Sequence, residues 1–231
     1  MRRANARYQL VLFDLDGTLA DTAPDLAAAV NRMRQRRQLA PLPPAELRPW
    51  ASHGARGMIG QAFSVAPGDP RYEPLREEFL AEYEAAICVE TTLFPSMAKT
   101  LAAIEQLGLR WGVVTNKLAR FTQPLLGALQ LDRRAACIVS GDTTAHAKPH
   151  PAPLLHALAV TGAVATETMY VGDDQRDIEA GRAAGLDTVV AAYGYLGETV
   201  PYLQWGATHA IDQPAGLLAL LNDPGAAPSN A

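Results

Sequence analysis

Val11–Thr22, VLFDLDGTLADT, closes an apolar run with two carboxylates, Asp14 and Asp16, two positions apart, and follows them at once with Gly17 and Thr18. Tyr8–Phe13 (YQLVLF) reads as a short buried strand, and Gly17 releases the chain into a turn. The carboxylates therefore stand at a strand's carboxyl end, the edge of an open α/β sheet where ligands bind. If the extended conformation continues, Asp14 and Asp16 face one pocket. Two carboxylates so close repel, and a cation, a proton or a cage of hydrogen bonds must relieve them. Mg2+ suits the pair, because it takes one or two carboxylates and leaves room for water and a phosphate. An Asp-rich turn, with Asp16 and Thr18 serving local backbone groups, is the other reading of these residues in isolation.

Outward from this stretch the pattern divides in two. From Asp21 to about Thr92 the periodicity is helical, with segments at 24–39, 45–51, 55–63 and 72–87 and no convincing strand. From Phe94 onward helices alternate with short apolar runs: LRWGVVT (109–115), ACIVS (136–140), TMYVG (168–172), DTVVAA (187–192) and a weaker strand at 208–211. Such alternation implies a mainly parallel sheet with right-handed crossovers. The expected architecture is an α/β core formed by 1–20 and 93–222, an all-helical insert at 21–92, and a fraying tail at 223–231.

The chain has 231 residues, 48% hydrophobic and 19% charged, enough to bury a sizeable core. Its net charge of −4 gives no field for nucleic acid or an anionic membrane. The basic run RMRQRRQ (32–38) reads as the solvated face of a helix. Cys88 and Cys137 are too few for a disulfide framework and read as reduced thiols. No apolar stretch reaches the roughly 20 residues of a membrane span, and MRRANAR lacks a signal peptide's apolar core. A cytoplasmic protein is expected, with no assigned oligomeric state.

Three further signals fall just past predicted strands. GVVTNK offers Thr115 and Asn116 to an anion. HAKPHPAP sets Lys148 in a Pro-framed loop before a helix. VGDDQRDIEAG presents Asp173, Asp174 and Asp177 after TMYV. Each alone is weak, since an acidic loop before a helix often only caps it. Four motifs converging on one sheet edge supply a nucleophile, an acid, a hydroxyl, a cation and metal carboxylates. Asp173 is the first choice to complete a metal site, with Asp174 and Asp177 as outer-shell or alternative ligands. Arg176, Glu179 and Arg182 read as a charged helix face.

Together DLDGT, Thr115, Lys148 and GDDQRD resemble the haloacid dehalogenase superfamily of phosphohydrolases over nearly the whole chain. The resemblance implies a Rossmann-like core, a helical cap inserted after the first motif, and bound Mg2+. It implies that Asp14 is the nucleophile that becomes an aspartyl-phosphate, that Asp16 is the acid and base, and that Asp16 serves the metal through its carbonyl, beside Asp14 and Asp173. Thr115, Asn116 and Lys148 would hold the phosphoryl group. An acid at Asp16 argues against a dehalogenase, whose halide leaves unaided, and for phosphate-ester hydrolysis.

Specificity then falls to the insert. SHGARGMIG (52–60) combines backbone freedom with a guanidinium, which makes His53 and Arg56 the candidates for substrate recognition; a helix–helix turn with a solvent-facing Arg56 is the alternative. The spacing resembles the phosphoglycolate phosphatases first. HGARGMI, WGVVTNK, GDDQRDIEAGRAAG and YGY also resemble their relatives, the N-acetylmuramic acid 6-phosphate phosphatases. Both substrates are small carboxylated phosphate esters. A phospho-receiver domain shares the sheet, Mg2+ and a phosphorylated Asp, but has neither a helical insert nor any need for Asp16. A catalytically silent scaffold is disfavoured because no motif position is degraded.

Overall fold

A computed structural model describes residues 7–197 and 200–222. Its centre is β1 (Leu10–Phe13), whose four residues LVLF are all buried. Their side chains alternate between the two sides of a sheet. Val11 and Phe13 join one apolar cluster with Trp111, Val113, Met169 and Val171, while Leu10 and Leu12 join another with Val114 and Tyr170. A strand covered on both faces has no polar side, which is why it reads as a continuous apolar run.

Among the described residues β1 belongs to a six-stranded sheet in the order β5-β4-β1-β6-β7-β8. The other strands are β4 (Arg110–Val114), β5 (Ile138–Val139), β6 (Thr168–Gly172), β7 (Asp187–Ala191) and β8 (His209–Ile211), and every pairing is parallel. Helices α5 (Met97–Gln106), α6 (Ala119–Ala128), α7 (Ala152–Thr161), α8 (Gln175–Ala183) and α9 (Leu217–Asn222) complete the core. After β5 the chain returns to pair β6 on the opposite side of β1. The topological switch point therefore lies beside β1. Phe13 is in register with both Val113 and Val171. That register brings Asp14, Thr115 and Asp173 to one edge.

The insert consists of α1 (Ala23–Arg36), α2 (Pro44–Leu47), a 3-10 turn at Arg48–His53, α3 (Gly54–Phe63) and α4 (Tyr72–Ala85). Its neck differs from the sequence expectation. A two-residue antiparallel ribbon, β2 (Ala20–Asp21) against β3 (Thr92–Leu93), joins insert and core; strands this short carry no periodicity to read. Asp25 ties the neck, its carboxylate accepting the Val89, Glu90 and Thr91 N–H groups at 3.0, 3.0 and 2.9 Å. The basic run 32–38 docks α1 on α4 through Arg32–Glu82, Arg36–Glu82 and Arg37–Glu78 ion pairs. The expected tail at 223–231 lies outside the described residues. No described helix is long and apolar enough to cross a membrane.

Candidate active site at the carboxyl edge of the sheet

Asp14 leaves β1 directly, and its N–H donates to Val171 O on β6 at 2.9 Å. Gly17, at φ +84°, turns the chain back over the edge; a Cβ there would stand 2.1 Å from Asp173 Oδ2. Only glycine permits this packing of the first motif against the acidic loop. Asp14, Asp173 and Asp177 form a buried triad whose carboxylate oxygens approach within 4.8 Å of one another.

Lys148 is 5% exposed and fully committed. It donates to Asp177 Oδ1 at 2.6 Å, to the Tyr170 hydroxyl at 2.8 Å and to Val114 O at 3.1 Å. These use its three protons. Its 2.9 Å approach to Asp14 Oδ1 is thus a contact of charges rather than an aligned hydrogen bond. Burial alone would depress the Lys148 pKa, but Asp14 and Asp177 outweigh it and keep the ammonium charged.

Burial pushes the Asp14 carboxyl up to about 6 even against the Lys148 charge. Asp173 is raised well above the usual carboxylate range, first by burial and then by Asp14 and Asp177. Its oxygens accept from Thr18 Oγ1 at 3.0 Å, Tyr195 N at 2.9 Å and, from the insert, Ser52 Oγ at 3.2 Å. This set fits a hard divalent cation. It offers oxygen donors in a buried, strained cluster, and Asp14 Oδ1 is buried with no hydrogen bond.

The carboxylate of Asp16 stands outside the triad. It accepts Lys117 Nζ at 2.7 and 3.0 Å and Thr22 Oγ1 at 2.6 Å. The Asp16 charge, despite burial, drives the Lys117 pKa up. Of the two acidic residues ranked behind Asp173, Asp174 caps α8. Its carboxylate accepts the Arg176 N–H at 2.9 Å, and its own N–H donates to Asp177 Oδ2 at 3.1 Å. Burial of Asp174 is outweighed by the Arg176 hydrogen bonds, which lower its pKa. Asp177 is saturated by Lys148, Tyr170 and the Asp174 N–H. Thr115 is buried at the end of β4. The Asn116 side chain is spent on the Lys148 main chain, accepting its N–H and donating to its carbonyl, both at 2.9 Å. Asn116 therefore positions the lysine loop.

A cavity of about 270 Å3 opens over this edge, lined by Asp14, Asp16, Thr115, Asn116 and Lys148 from the core and by His53 and one face of α4 from the insert. Burial and the Arg176 charge lower the His53 pKa. Arg56 is not in this lining. It lies exposed on α3 and borders a separate cavity of about 740 Å3 with Trp50, Gln61 and Trp205. Of the glycines around it, Gly57 packs the turn, since a Cβ there would meet Trp50 O at 2.5 Å.

Four side chains missed in the sequence matter here: Lys117, Ser52, Arg176 and Tyr195. Arg176, read as part of a charged face, grips Asp174 at 2.7 Å and donates to Ser52 O at 2.9 Å, joining core to insert. The Tyr195 hydroxyl accepts the Thr22 and Ala23 N–H groups at 2.8 and 2.9 Å, capping α1 where Thr22 provides no side-chain cap. Asp174-x-x-Asp177 carried a readable capping signal. The others depend on distant partners.

A family model for haloacid dehalogenase-like hydrolases matches residues 11–191. The chain is 41% identical over 216 residues to the N-acetylmuramic acid 6-phosphate phosphatase of Pseudomonas aeruginosa, covering 94% of this chain and 96% of the relative. It is 46% identical over 208 residues to the phosphoglycolate phosphatase of Xanthomonas campestris, covering 90% and 93%. Among solved structures, a predicted phosphoglycolate phosphatase from Haemophilus somnus superposes with a TM-score of 0.81 at 28% identity, covering 93% and 98%.

Proposed function

The chain belongs to the haloacid dehalogenase-like hydrolases, and from that premise we propose that it is a Mg2+-dependent phosphomonoester hydrolase acting on a small carboxylated phosphate ester. The observation that carries this reading is Asp14 Oδ1. It is a buried carboxylate oxygen without an aligned hydrogen bond, 2.9 Å from the Lys148 ammonium, in a residue that lines the cavity.

In this reading the Asp14 carboxylate attacks phosphorus. The ester bond breaks with its electron pair on the leaving oxygen, and that oxygen takes a proton from Asp16, which has to enter the step protonated rather than ion-paired with Lys117. Water then attacks the aspartyl-phosphate and gives its proton to Asp16, and the acyl–phosphate bond breaks to restore Asp14. Lys148 and the Thr115 hydroxyl face the negative phosphoryl oxygens, which removes the repulsion between carboxylate and phosphate dianion. Asn116 holds Lys148 in place, while Lys117 and Thr22 fix Asp16 on the same cavity. Asp14, Asp173 and the main-chain carbonyl of Asp16 would hold the Mg2+, with Asp177 behind them; when bound, the metal supplies charge neutralisation between nucleophile and phosphate.

2-Phosphoglycolate and N-acetylmuramic acid 6-phosphate are the substrates to weigh, since relatives of comparable identity carry each name. We place residues 21–92 as the specificity cap and the protein in the cytoplasm, without nucleic-acid or membrane partners. The test is Mg2+-dependent phosphate release from a panel of esters, with Asp14→Asn as the blank. Many phosphates per chain, lost in the blank, support the enzyme; about one phosphate per chain indicates a phospho-receiver and overturns it.

A further inference from the structure

The cavity has a second wall in α4. Arg76, Phe79, Leu80 and Tyr83 all line it, and their offsets of three, four and seven place them on one helical face. Tyr83 is the inner end of that face, because Lys117 Nζ lies 4.8 Å from its ring centroid and Lys117 holds Asp16. Arg76 stands two turns earlier. At a rise of about 1.5 Å per residue the two Cα atoms are roughly 10 Å apart along the axis, and the backward tilt of helical side chains carries the guanidinium further out.

Among the described residues lining the cavity, the other Lys and Arg side chains are engaged. Lys148 is bound at 2.6 Å to Asp177, Lys117 at 2.7 Å to Asp16 and Arg176 at 2.7 Å to Asp174. Arg76 meets only a loose partner, Glu73 at 3.5 Å, with side-chain exposures of 39% and 68%. Such a pair holds a guanidinium weakly. Between Arg76 and Tyr83 the wall is apolar, with Leu26, Leu118 and Phe121 also lining the cavity. The Tyr83 hydroxyl is buried and interacts with the Lys117 ammonium. A weakly held cation at one end of an apolar, aromatic-lined wall makes a subsite for an amphipathic ring bearing an anion.

Resting on the phosphatase reading above, we infer that Arg76 is the specificity residue that binds the substrate carboxylate, and that the substrate is a sugar-sized ester with its carboxylate about two helical turns from phosphorus. Three bonds separate phosphorus from the carboxyl carbon in 2-phosphoglycolate, a reach of about 4 Å by the spacing of three backbone bonds. Eight bonds separate them in N-acetylmuramic acid 6-phosphate, which by the same measure spans up to about 10 Å. Of the two, only the longer ester matches the span of the wall, with its ring along the apolar face between Arg76 and Tyr83.

The experiment compares wild type, Arg76→Ala, Arg76→Lys and Arg56→Ala on four esters. These are N-acetylmuramic acid 6-phosphate, N-acetylglucosamine 6-phosphate (the same sugar without the carboxylate), 2-phosphoglycolate and p-nitrophenyl phosphate. Arg76→Ala is expected to lower kcat/KM for the first by about 10- to 100-fold, as for loss of a charged hydrogen bond, and to leave the other three within about 2-fold. Arg76→Lys is expected to recover part of the loss and Arg56→Ala to cost nothing. Calorimetric binding of the two sugar phosphates to Asp14→Asn protein, with and without Arg76→Ala, reads the same contact without turnover. Equal losses with and without the carboxylate overturn the assignment of Arg76. A wild-type preference for 2-phosphoglycolate, or its equal loss in Arg76→Ala, overturns the length argument. Absence of phosphate release from every ester by wild type removes the phosphatase reading itself and is distinct from either result.

Discussion

Burial of the nucleophile makes the metal-free protein sensitive to pH in a direction that can be worked out. The Asp14 carboxyl is held at about 6 against an ordinary value of 3.8. A group whose folded pKa exceeds its unfolded one contributes stability that is present at low pH and lost as pH rises through the folded value. The shift of about 2 units corresponds to about 3 kcal/mol in full, and about 2 kcal/mol of it falls between roughly pH 4.5 and 7.5 by the same linkage. Asp14→Asn has no such titration. The stability of Asp14→Asn minus that of wild type, in chelator, therefore increases by about 2 kcal/mol over this range, or about 4–8 °C in Tm for a chain of this size. Using the change in the gap with pH removes the constant cost of taking a partner from Lys148. Saturating Mg2+ flattens the increase, because the cation takes the proton's place. Paired thermal melts at a series of pH values measure it, and a gap that stays flat or shrinks as pH rises would refute the reasoning.

Lys117→Met strands Asp16 in a partly buried site and is expected to destabilise the fold by about 3 kcal/mol; urea titration of a cycle with Asp16→Asn should show most of that loss recovered in the double variant. Gly17→Ala drives a Cβ into Asp173 at 2.1 Å in a positive-φ turn, so phosphate release should fall by at least about 100-fold while circular dichroism stays native. Tyr195→Phe removes the acceptor of the Thr22 and Ala23 N–H groups, and chemical denaturation should register a loss of about 1–2 kcal/mol, the cost of a helix cap.

The α/β core was legible because strands such as LVLF and TMYVG, buried on both faces, show themselves as unbroken apolar runs. Asp14, Thr115 and Asp173 were legible because each directly follows an apolar strand, and parallel register then aligns the strand ends; Lys148 reaches the same edge on a loop that begins at β5 (Ile138–Val139). The neck was not, since two residues on each side carry no period. Nor were the ion pairs that fix the site. Lys117 follows Thr115 and Asn116 in plain view, yet its meaning depends on Asp16, 101 positions away. Arg176 looked like surface because its two partners, Asp174 and Ser52 O, include one from the insert.

The two arginines of the insert show how far a sequence reading of specificity reaches. Arg56 drew attention because glycines surround it, but Gly57 serves close packing against Trp50 O and leaves Arg56 on an exposed face. Arg76 sits in YEPLREEFLAEYEA (72–85), an ordinary amphipathic helix, and nothing local marks it. What distinguishes it is a contrast among cations: three others in the cavity are bound at 2.6–2.7 Å to buried or half-buried carboxylates, and Arg76 faces only a solvent-screened Glu73. The core acts on a phosphoryl group that both substrates share. In the reading proposed above, discrimination comes from the distance between that group and a second anchor, set by the number of helical turns of α4 between Tyr83 and Arg76. A length of this kind becomes readable only once both ends of the helix face are placed against Asp14.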